Sequence, residues 1–249
     1  MKIFITGSRG LLGGHITSVF RERGLDVIAP TRTEFDITKD NTKYLESLNL
    51  TKDDIVLNLA AYTNVKQAEE TPGIAFDVNT AVEWLLGLPC KIFHMSTDYV
   101  YSGSTQYSKE TDPPEPFNIY GHSKSVADSL LLRHEIRDTP ELVDGNVRII
   151  RTSFKPIKWP YPMAFGDMYT NAETVDRAAL RLAQFILLDP PGGIFNVGGP
   201  PITVYQLAKK NNPFVQSGSV KDVSFLMPDV TMDLNKYHSF IHSCRKKNV

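Results

Sequence analysis

The sequence predicts a doubly wound α/β fold: a parallel sheet with helices covering both of its faces. Apolar runs of strand length recur along the chain, and the segments between them switch to helical periodicity. The runs are also nearly continuously apolar instead of alternating, which is the pattern of strands buried on both sides. In order, Ile3 to Thr6 reads as a short buried strand and Leu11 to Arg23 as a helix ended by Gly24. Asp26 to Ala29 is the next strand, stopped by Pro30. A helical segment through Tyr44 and Leu48 leads into a strand from Ile55 to Leu59. Ala75 to Leu88 reads as a helix, Lys91 to Met95 as a strand, and Ile119 to Arg137 as a long helix. Val147 to Ile150 is a strand, Thr174 to Leu188 a helix, and Ile194 to Val197 a last strand before Gly198-Gly199-Pro200-Pro201.

Two stretches break the alternation. Phe154 to Ala172 is rich in Pro, aromatics and turn formers, and the chain after Gly198 is irregular apart from a possible helix near Gln206. The expected division is a sheet domain of residues 1–150 with 174–199, and a small lobe of residues 151–173 with 200–249. The lobe would lie over the carboxyl ends of the strands, where open α/β sheets bind ligands.

Composition narrows the function. The chain has 249 residues, 41% of them hydrophobic and 22% charged, enough for a large core without staples. Lys and Arg number 27 against 28 Asp and Glu, so the formal charge of -1 leaves no global footprint for nucleic acid. The longest apolar stretches, Ile55 to Ala61 and Trp84 to Cys90, are too short to span a bilayer. A strand starting at Lys2 leaves no room for a signal peptide. Cys90 and Cys244 cannot form a disulfide framework or an unaided zinc site, and the histidines show no metal-ligand spacing. A soluble, cytoplasmic protein without metal, membrane or nucleic-acid partners is expected.

The first chemical signal is Gly7-Ser8-Arg9-Gly10-Leu11-Leu12-Gly13, which joins the first strand to the first helix. Glycines there allow a tight turn and let the backbone approach a pyrophosphate, while the helix amino terminus faces the anion. The strand before and the helix after favour a dinucleotide over a mere turn. An NAD site usually carries a carboxylate at the end of the second strand, about 20 residues on, for the ribose 2′-hydroxyl. Here the strand ends Ala29-Pro30-Thr31-Arg32, with no carboxylate until Glu34. Arg9 and Arg32 could grip a 2′-phosphate, or could simply be solvated, so NADPH is favoured and NADH stays open. In Asp36-Ile37 the carboxylate could bind the adenine amino group.

A Tyr stands four residues before a Lys three times, as Tyr62/Lys66, Tyr120/Lys124 and Tyr205/Lys209. The spacing shares one helical face, where an ammonium can favour tyrosinate over phenol. Position selects among the pairs. Tyr120/Lys124 opens the long helix after a strand ending in Ser96-Thr97, whose hydroxyls would emerge at the carboxyl edge of the sheet. Thr97, Tyr120 and Lys124 thus form a hydroxyl, acid and cation set that the other two pairs lack.

With these residues in place the chain resembles the extended short-chain dehydrogenase/reductases, with their Rossmann-like sheet. Within them it resembles the sugar-nucleotide reductase/epimerase group. The matching pieces are Thr6 to Gly13, Asn58-Leu59-Ala60-Ala61-Tyr62-Thr63, Val78-Asn79, Ser96 to Tyr101, Tyr120 to Lys124 and Arg151-Thr152-Ser153. The resemblance implies catalytic roles for Thr97, Tyr120 and Lys124. It implies cofactor contacts from the glycine loop, Asp36, Ile37, Ala60, Ala61, Tyr62, Asn79, Ser96, Arg151 and Ser153, with the stretch after Arg151 closing over the nicotinamide. Its activity would be reduction of the keto group of a nucleotide-linked 4-keto-6-deoxy sugar. Three features depart from the group: Lys66 stands where an acid is expected, the region after Ser153 is short, and Phe154 to Pro162 has an unexpected sequence.

Other readings of the same fold are a 4-epimerase, a 4,6-dehydratase and a dinucleotide-binding regulator without turnover. The dehydratase needs an Asp-Glu couple after the catalytic Thr, and here Asp98 is followed by Tyr99. Cys90 and His94 share a strand face but read as filling, because Cys90 lies at the wrong end of the strand. Arg245-Lys246-Lys247 reads as a solvated tail. Trp159, Tyr161 and Phe165 could stack on a base or sugar, or pack the small lobe. Phe76, Trp84, Leu85 and Leu88 on one helix, with Val126, Leu130, Leu131 and Ile136 on the catalytic one, suggest a homodimer built on helices.

Overall fold

A computed structural model describes residues 1–104, 106–137 and 145–247, the side chains of 133–137 and 247 excepted. Strands β1 (Lys2–Thr6), β2 (Asp26–Ile28), β3 (Ile55–Asn58), β4 (Lys91–Thr97) and β5 (Val147–Thr152) build the first part of a sheet. Helices α1 (Leu11–Glu22), α2 (Thr42–Leu48), α3 (Val65–Glu70), α4 (Pro72–Asn79) and α5 (Ile119–Arg137) connect them. Short strands β6 (Phe154–Lys155), β7 (Met163–Phe165), β8 (Tyr169–Thr170) and β9 (Glu173–Thr174) follow, then α6 (Val175–Leu187) and β10 (Gly193–Asn196). The chain ends with β11 (Ile202–Thr203), α7 (Val204–Lys209), β12 (Gln216–Gly218) and α8 (Asn235–Lys247).

The main sheet runs β10-β5-β4-β3-β1-β2, and every neighbouring pair is parallel. Strand order reverses beside β1, so the connections that leave β1 and β3 run to opposite faces of the sheet and open the crevice in which doubly wound sheets bind ligands. On one face Ile3, Ile5, Phe93 and Phe195 pack under Ile16 and Phe20 of α1 and Leu182 and Phe185 of α6. On the other, Phe4, Val56, Ile92 and Ile149 pack under Ala127 and Leu131 of α5. The two-faced burial expected from the apolar runs is what the fold shows.

Two elements differ from the sequence reading. The expected helix from Ala75 to Leu88 stops at Asn79, and Glu83–Leu85 forms only a single 3₁₀ turn. Asn79 is pinned from three sides: its Oδ1 accepts from Tyr62 N–H, and its Nδ2 donates to Tyr62 O and Ser123 Oγ. Trp84 then turns into a cluster with Phe35 and Phe4, at ring separations of 5.1 and 6.3 Å, which a continued helix would not reach. The second difference is α8, which includes the basic residues read as a tail. Its Tyr237 is 5% exposed, and the rings of Tyr237 and Phe240 lie 5.4 and 5.6 Å from Phe185. A single apolar stripe at helical spacing, among polar neighbours, docks this helix on the sheet.

The helix expected near Gln206 is α7, begun by a capping box between Thr203 and Gln206. Ala164, Met168, Val204, Ala208, Val215, Val220 and Val230 make a separate apolar cluster, with Trp159, Phe165 and Tyr99 packed against it. Among the described residues no helix is long and apolar enough to cross a membrane.

Candidate active site

A cleft of about 650 Å³ opens over the carboxyl ends of β1, β3 and β4. One end is the glycine loop. Gly7 sits at φ +68, and a Cβ at Gly13 would stand 2.1 Å from Gly7 O, so α1 can pack against the turn only without a side chain there. Helix α1 has no side-chain cap and no acid in its first turn. An amino terminus left with free N–H groups, beside Arg9 in the cleft wall, suits a pyrophosphate. These features fit the dinucleotide that the sequence implied.

Of the expected cofactor residues, Gly7 to Gly13, Arg32, Asp36, Ile37, Ala60, Ala61, Ser96, Tyr120, Lys124 and Ser153 all line the cleft, together with Thr97. Arg32 Nε lies 3.4 Å from Asp36 Oδ2 with 77% of its side chain exposed. Asp36 also accepts from the N–H and hydroxyl of Thr38, and these bonds hold its carboxyl below the usual range.

Tyr62, Asn79 and Arg151 are not among the residues that line it. Tyr62 gives its hydroxyl proton to Gln67 Oε1, and Asn79 clamps the loop before α3. Arg151, 1% exposed, is a core residue. Its Nε lies 3.3 Å from Asp128 Oδ2, one terminal nitrogen donates to Tyr101 Oη at 2.9 Å, and its guanidinium stacks on that ring. A cation on a strand facing α5 finds a carboxylate before it finds the cleft. Of the two tyrosine–lysine pairs set aside, Lys209 meets Tyr205 at 3.0 Å on the exposed surface of α7.

The catalytic candidates come together at the other end. Thr97 ends β4, donates to Asp98 Oδ1 and accepts from Tyr99 N–H. Tyr120 lies on the first turn of α5, which is fixed twice: Asn118 Oδ1 accepts from Gly121 N–H, and Glu69 Oε1 accepts from Ile119 N–H. Thr97 is a close polar neighbour of the Tyr120 hydroxyl. Burial pushes the Tyr120 phenol up to about 12, only partly opposed by Thr97, with Asp98 and Asp128 adding to the rise. Lys124 is 2% exposed, and burial pushes its ammonium down to about 8, against the pull of Asp128. The expectation that Lys124 lowers the tyrosine is not met in this geometry. Lys124 Nζ points at His94 Nε2, 3.1 Å away, and burial outweighs any help to tyrosinate.

Sequence reasoning missed His94, Asp128 and Asn58. Strand alternation contained the signal, since residues 92, 94 and 96 of β4 face α5. There His94 meets Lys124 and Ser96 Oγ donates to Asp128 Oδ2 at 3.0 Å, a polar pair facing a polar pair. Burial raises the Asp98 and Asp128 carboxyls and lowers Lys155, against the pull of Asp98. Cys90 is buried ahead of β4, and its thiol is pushed up to about 12. Among the described residues no group of three or more His, Cys, Asp or Glu could hold a metal.

Residues 1–153 match the family described as RmlD substrate binding domain. A dTDP-4-dehydrorhamnose reductase of Aggregatibacter actinomycetemcomitans is 36% identical over 222 residues, covering 84% of this chain and 68% of that protein. The probable low-salt glycan biosynthesis reductase Agl14 of Haloferax volcanii is 34% identical over 170 residues, or 62% of this chain and 53% of that protein. The chain spans about half the length of most curated relatives it matches, 53% for the spore coat polysaccharide biosynthesis protein SpsK of Bacillus subtilis. Among solved structures, the dTDP-4-dehydrorhamnose reductase of Bacillus anthracis in complex with NADP superposes with TM-score 0.76. It is 20% identical and covers 96% of this chain and 91% of that one, so what the two share is the fold. The family match ends at Ser153, where the sequence had departed from the expected pattern, and it takes in β1 to β5, the glycine loop, Thr97, Tyr120 and Lys124. This chain therefore belongs to the RmlD substrate-binding-domain family, among the extended short-chain dehydrogenase/reductases.

Proposed function

We propose that the protein is an NADPH-preferring oxidoreductase that reduces the keto group of a nucleotide-linked 4-keto-6-deoxy sugar, as in deoxysugar biosynthesis. The observation that carries this is Thr97 and Tyr120 as polar neighbours in the same cleft as the glycine loop, with Lys124 one turn along α5. Relatives named dTDP-4-dehydrorhamnose reductase support the substrate class.

The bound nicotinamide would supply a hydride to the keto carbon. Tyr120 Oη gives its proton to the developing alkoxide. A phenol pushed up to about 12 stays protonated at neutral pH, which is the form a reduction consumes. Thr97 Oγ1 turns from Asp98 to donate to the substrate oxygen and polarise the carbonyl. Lys124, which lines the cleft, would hold the nicotinamide ribose, and Arg9 and Arg32 would hold the adenosine end. Of the lobe expected over residues 151–173 and 200–249, the part outside β5 and α8 would form the sugar side, where Phe154 and Lys155 line the cleft. Dehydration lacks its second carboxylate, because Tyr99 follows Asp98.

The homodimer belongs to the same proposal. Leu85 and Leu131 are taken up by the core, and the Ile136 side chain lies outside the described residues, but Leu130 on α5 and Ile74 on α4 remain exposed at 36% and 50%. Sedimentation at micromolar concentration tests it, and a single 27.9 kDa species rejects it. Cytoplasmic placement is proposed with it, resting on the free thiols of Cys90 and Cys244.

The activity is tested by following NADPH oxidation with dTDP-linked and UDP-linked 4-keto-6-deoxy sugars. Oxidation that depends on sugar nucleotide is expected. Tight NADPH binding with no turnover on either sugar would replace the reductase by a regulatory binder.

A further inference from the structure

We propose that His94 is a positioning residue for Lys124, set in a buried hydrogen-bond chain from Thr6 through Asn58 and His94 that reverses its polarity when Lys124 loses its proton. The proposal rests on Lys124 being the cation of the cofactor site and adds what holds it there. The chain crosses three neighbouring strands under the floor of the cleft. Thr6 Oγ1 lies 2.6 Å from Asn58 Oδ1, Asn58 Nδ2 is 3.1 Å from His94 Nδ1, and His94 Nε2 is 3.1 Å from Lys124 Nζ. All four residues are buried, none more than 2% exposed. Parallel register puts Thr6 beside Asn58 and Asn58 beside His94, so the sheet itself lines the groups up.

Donor counting gives the chain two self-consistent states. An ammonium has only donors, and a neutral imidazole has one donor and one acceptor. With Lys124 charged, Nζ donates to Nε2, the ring proton sits on Nδ1 and needs Asn58 Oδ1, and the amide NH₂ turns to Thr6 Oγ1. With Lys124 neutral, every bond reverses: Thr6 Oγ1 donates to Oδ1, Nδ2 donates to Nδ1, and Nε2–H donates to Nζ. The structure shows the second arrangement, with Oδ1 on Thr6 and Nδ2 on His94. Each of the four side chains keeps at least one hydrogen-bond partner within the chain in either state.

The surrounding charges keep the switch on the lysine. Burial and the neighbouring ammonium both hold the imidazole well below its usual range, so His94 stays neutral. From α5, Asp128 favours the ammonium, but its Oδ2 is engaged by Ser96 and Arg151 and its Oδ1 has no hydrogen-bond partner. Tyr120 of α5 has Thr97 of β4 as its polar neighbour, and Arg151 of β5 faces Asp128. At the far end Thr6 Oγ1 accepts from Ala60 N–H at 3.4 Å, and Gly7 follows in sequence. The lysine that would hold the ribose is thereby tied to the root of the glycine loop.

The test is a ¹⁵N-histidine NMR titration of the cofactor-free protein from about pH 6 to about pH 10, with the His94 signal assigned by its loss in His94→Gln. A neutral ring is expected throughout, passing from the Nδ1–H to the Nε2–H tautomer at a midpoint shared with Lys124. An imidazolium at the acid end, or one tautomer across the whole range, overturns the proposal. Binding gives a second readout. In His94→Leu the ammonium loses its acceptor, so the alkaline fall of NADPH affinity should move down by about one pH unit, while His94→Gln keeps an acceptor and the wild-type limb. An unmoved limb in a folded His94→Leu reduces His94 to packing. Failure of the wild type to bind NADPH would sink the cofactor reading itself, and the tautomer titration would still decide the chain.

Discussion

Replacing Arg151 by Met should unfold the protein more readily without loosening its grip on a dinucleotide. The residue and its partner Asp128 are each 1% exposed in their side chains, 3.3 Å apart. Removing the guanidinium leaves Asp128 Oδ2 with Ser96 alone and Oδ1 with nothing, and takes the donor from Tyr101 Oη. Breaking a buried pair by deleting one partner costs about 3–5 kcal/mol, because a lone charge stays behind. Against a total stability of about 5–15 kcal/mol that is a large fraction. At about 2–4 °C per kcal/mol for a chain of this size, Tm should fall by roughly 6–20 °C. Urea unfolding followed by circular dichroism gives the loss, and NADPH titration at a temperature where both proteins are folded gives the affinity. The double variant Arg151→Met/Asp128→Leu should recover part of the stability, since the Arg151–Asp128 pair is removed whole and only Lys124 loses a favourable charge. Wild-type stability in Arg151→Met together with a weakened NADPH affinity would refute the core role and restore the cofactor contact read from the sequence.

Arg32→Ala should weaken NADPH more than NADH. With 77% of that side chain exposed, about tenfold is expected, the low end of a charge-assisted bond. Equal affinity of the wild type for both dinucleotides would show the arginine to be solvated. Glu69→Ala removes the acceptor that caps Ile119 N–H at 2.7 Å, and about 0.5–2 kcal/mol of stability should go with it. An unchanged urea midpoint would reject that cap. His94 is held neutral well below its usual range, whereas the unfolded chain takes up a proton as pH falls through about 6.5. The stability it contributes is therefore present above that pH and lost below it, by up to about 1.4 kcal/mol per pH unit. The gap between wild type and His94→Gln should narrow from pH 7 to pH 5 in urea unfolding, and a constant gap would contradict a buried neutral ring.

The parts legible in the sequence are those that local pattern controls. Strands buried on both faces read as apolar runs, so β1, β3, β4 and β5 lie where expected. The glycine loop was legible because a tight turn against α1 excludes a side chain at Gly13. Thr97, Tyr120 and Lys124 were found by their place relative to the sheet edge, since the Tyr–Lys spacing alone occurs three times. What escaped depends on partners distant along the chain. Asn79 ends α4 through Tyr62 and Ser123, and Trp84 leaves the helical path for an aromatic cluster on β1. Helix α8 shows only one thin apolar stripe, and its docking site on Phe185 belongs to another element. Arg151 looked like a site residue because it abuts Thr152 and Ser153, which do line the cleft, but strand alternation turns it to Asp128. The Tyr120–Lys124 relation was legible as proximity and not as electrostatics, because the effect of burial exceeds that of the cation.

Tyr120→Phe tests most directly whether Tyr120 is the proton donor. With NADPH and a nucleotide-linked 4-keto-6-deoxy sugar, kcat should fall by about 10²–10⁴-fold, the scale of a positioned general acid. NADPH affinity should stay at the wild-type value, since phenylalanine keeps the ring that packs edge-on against Tyr99 at 6.2 Å. Turnover by Tyr120→Phe at the wild-type rate would contradict the assignment.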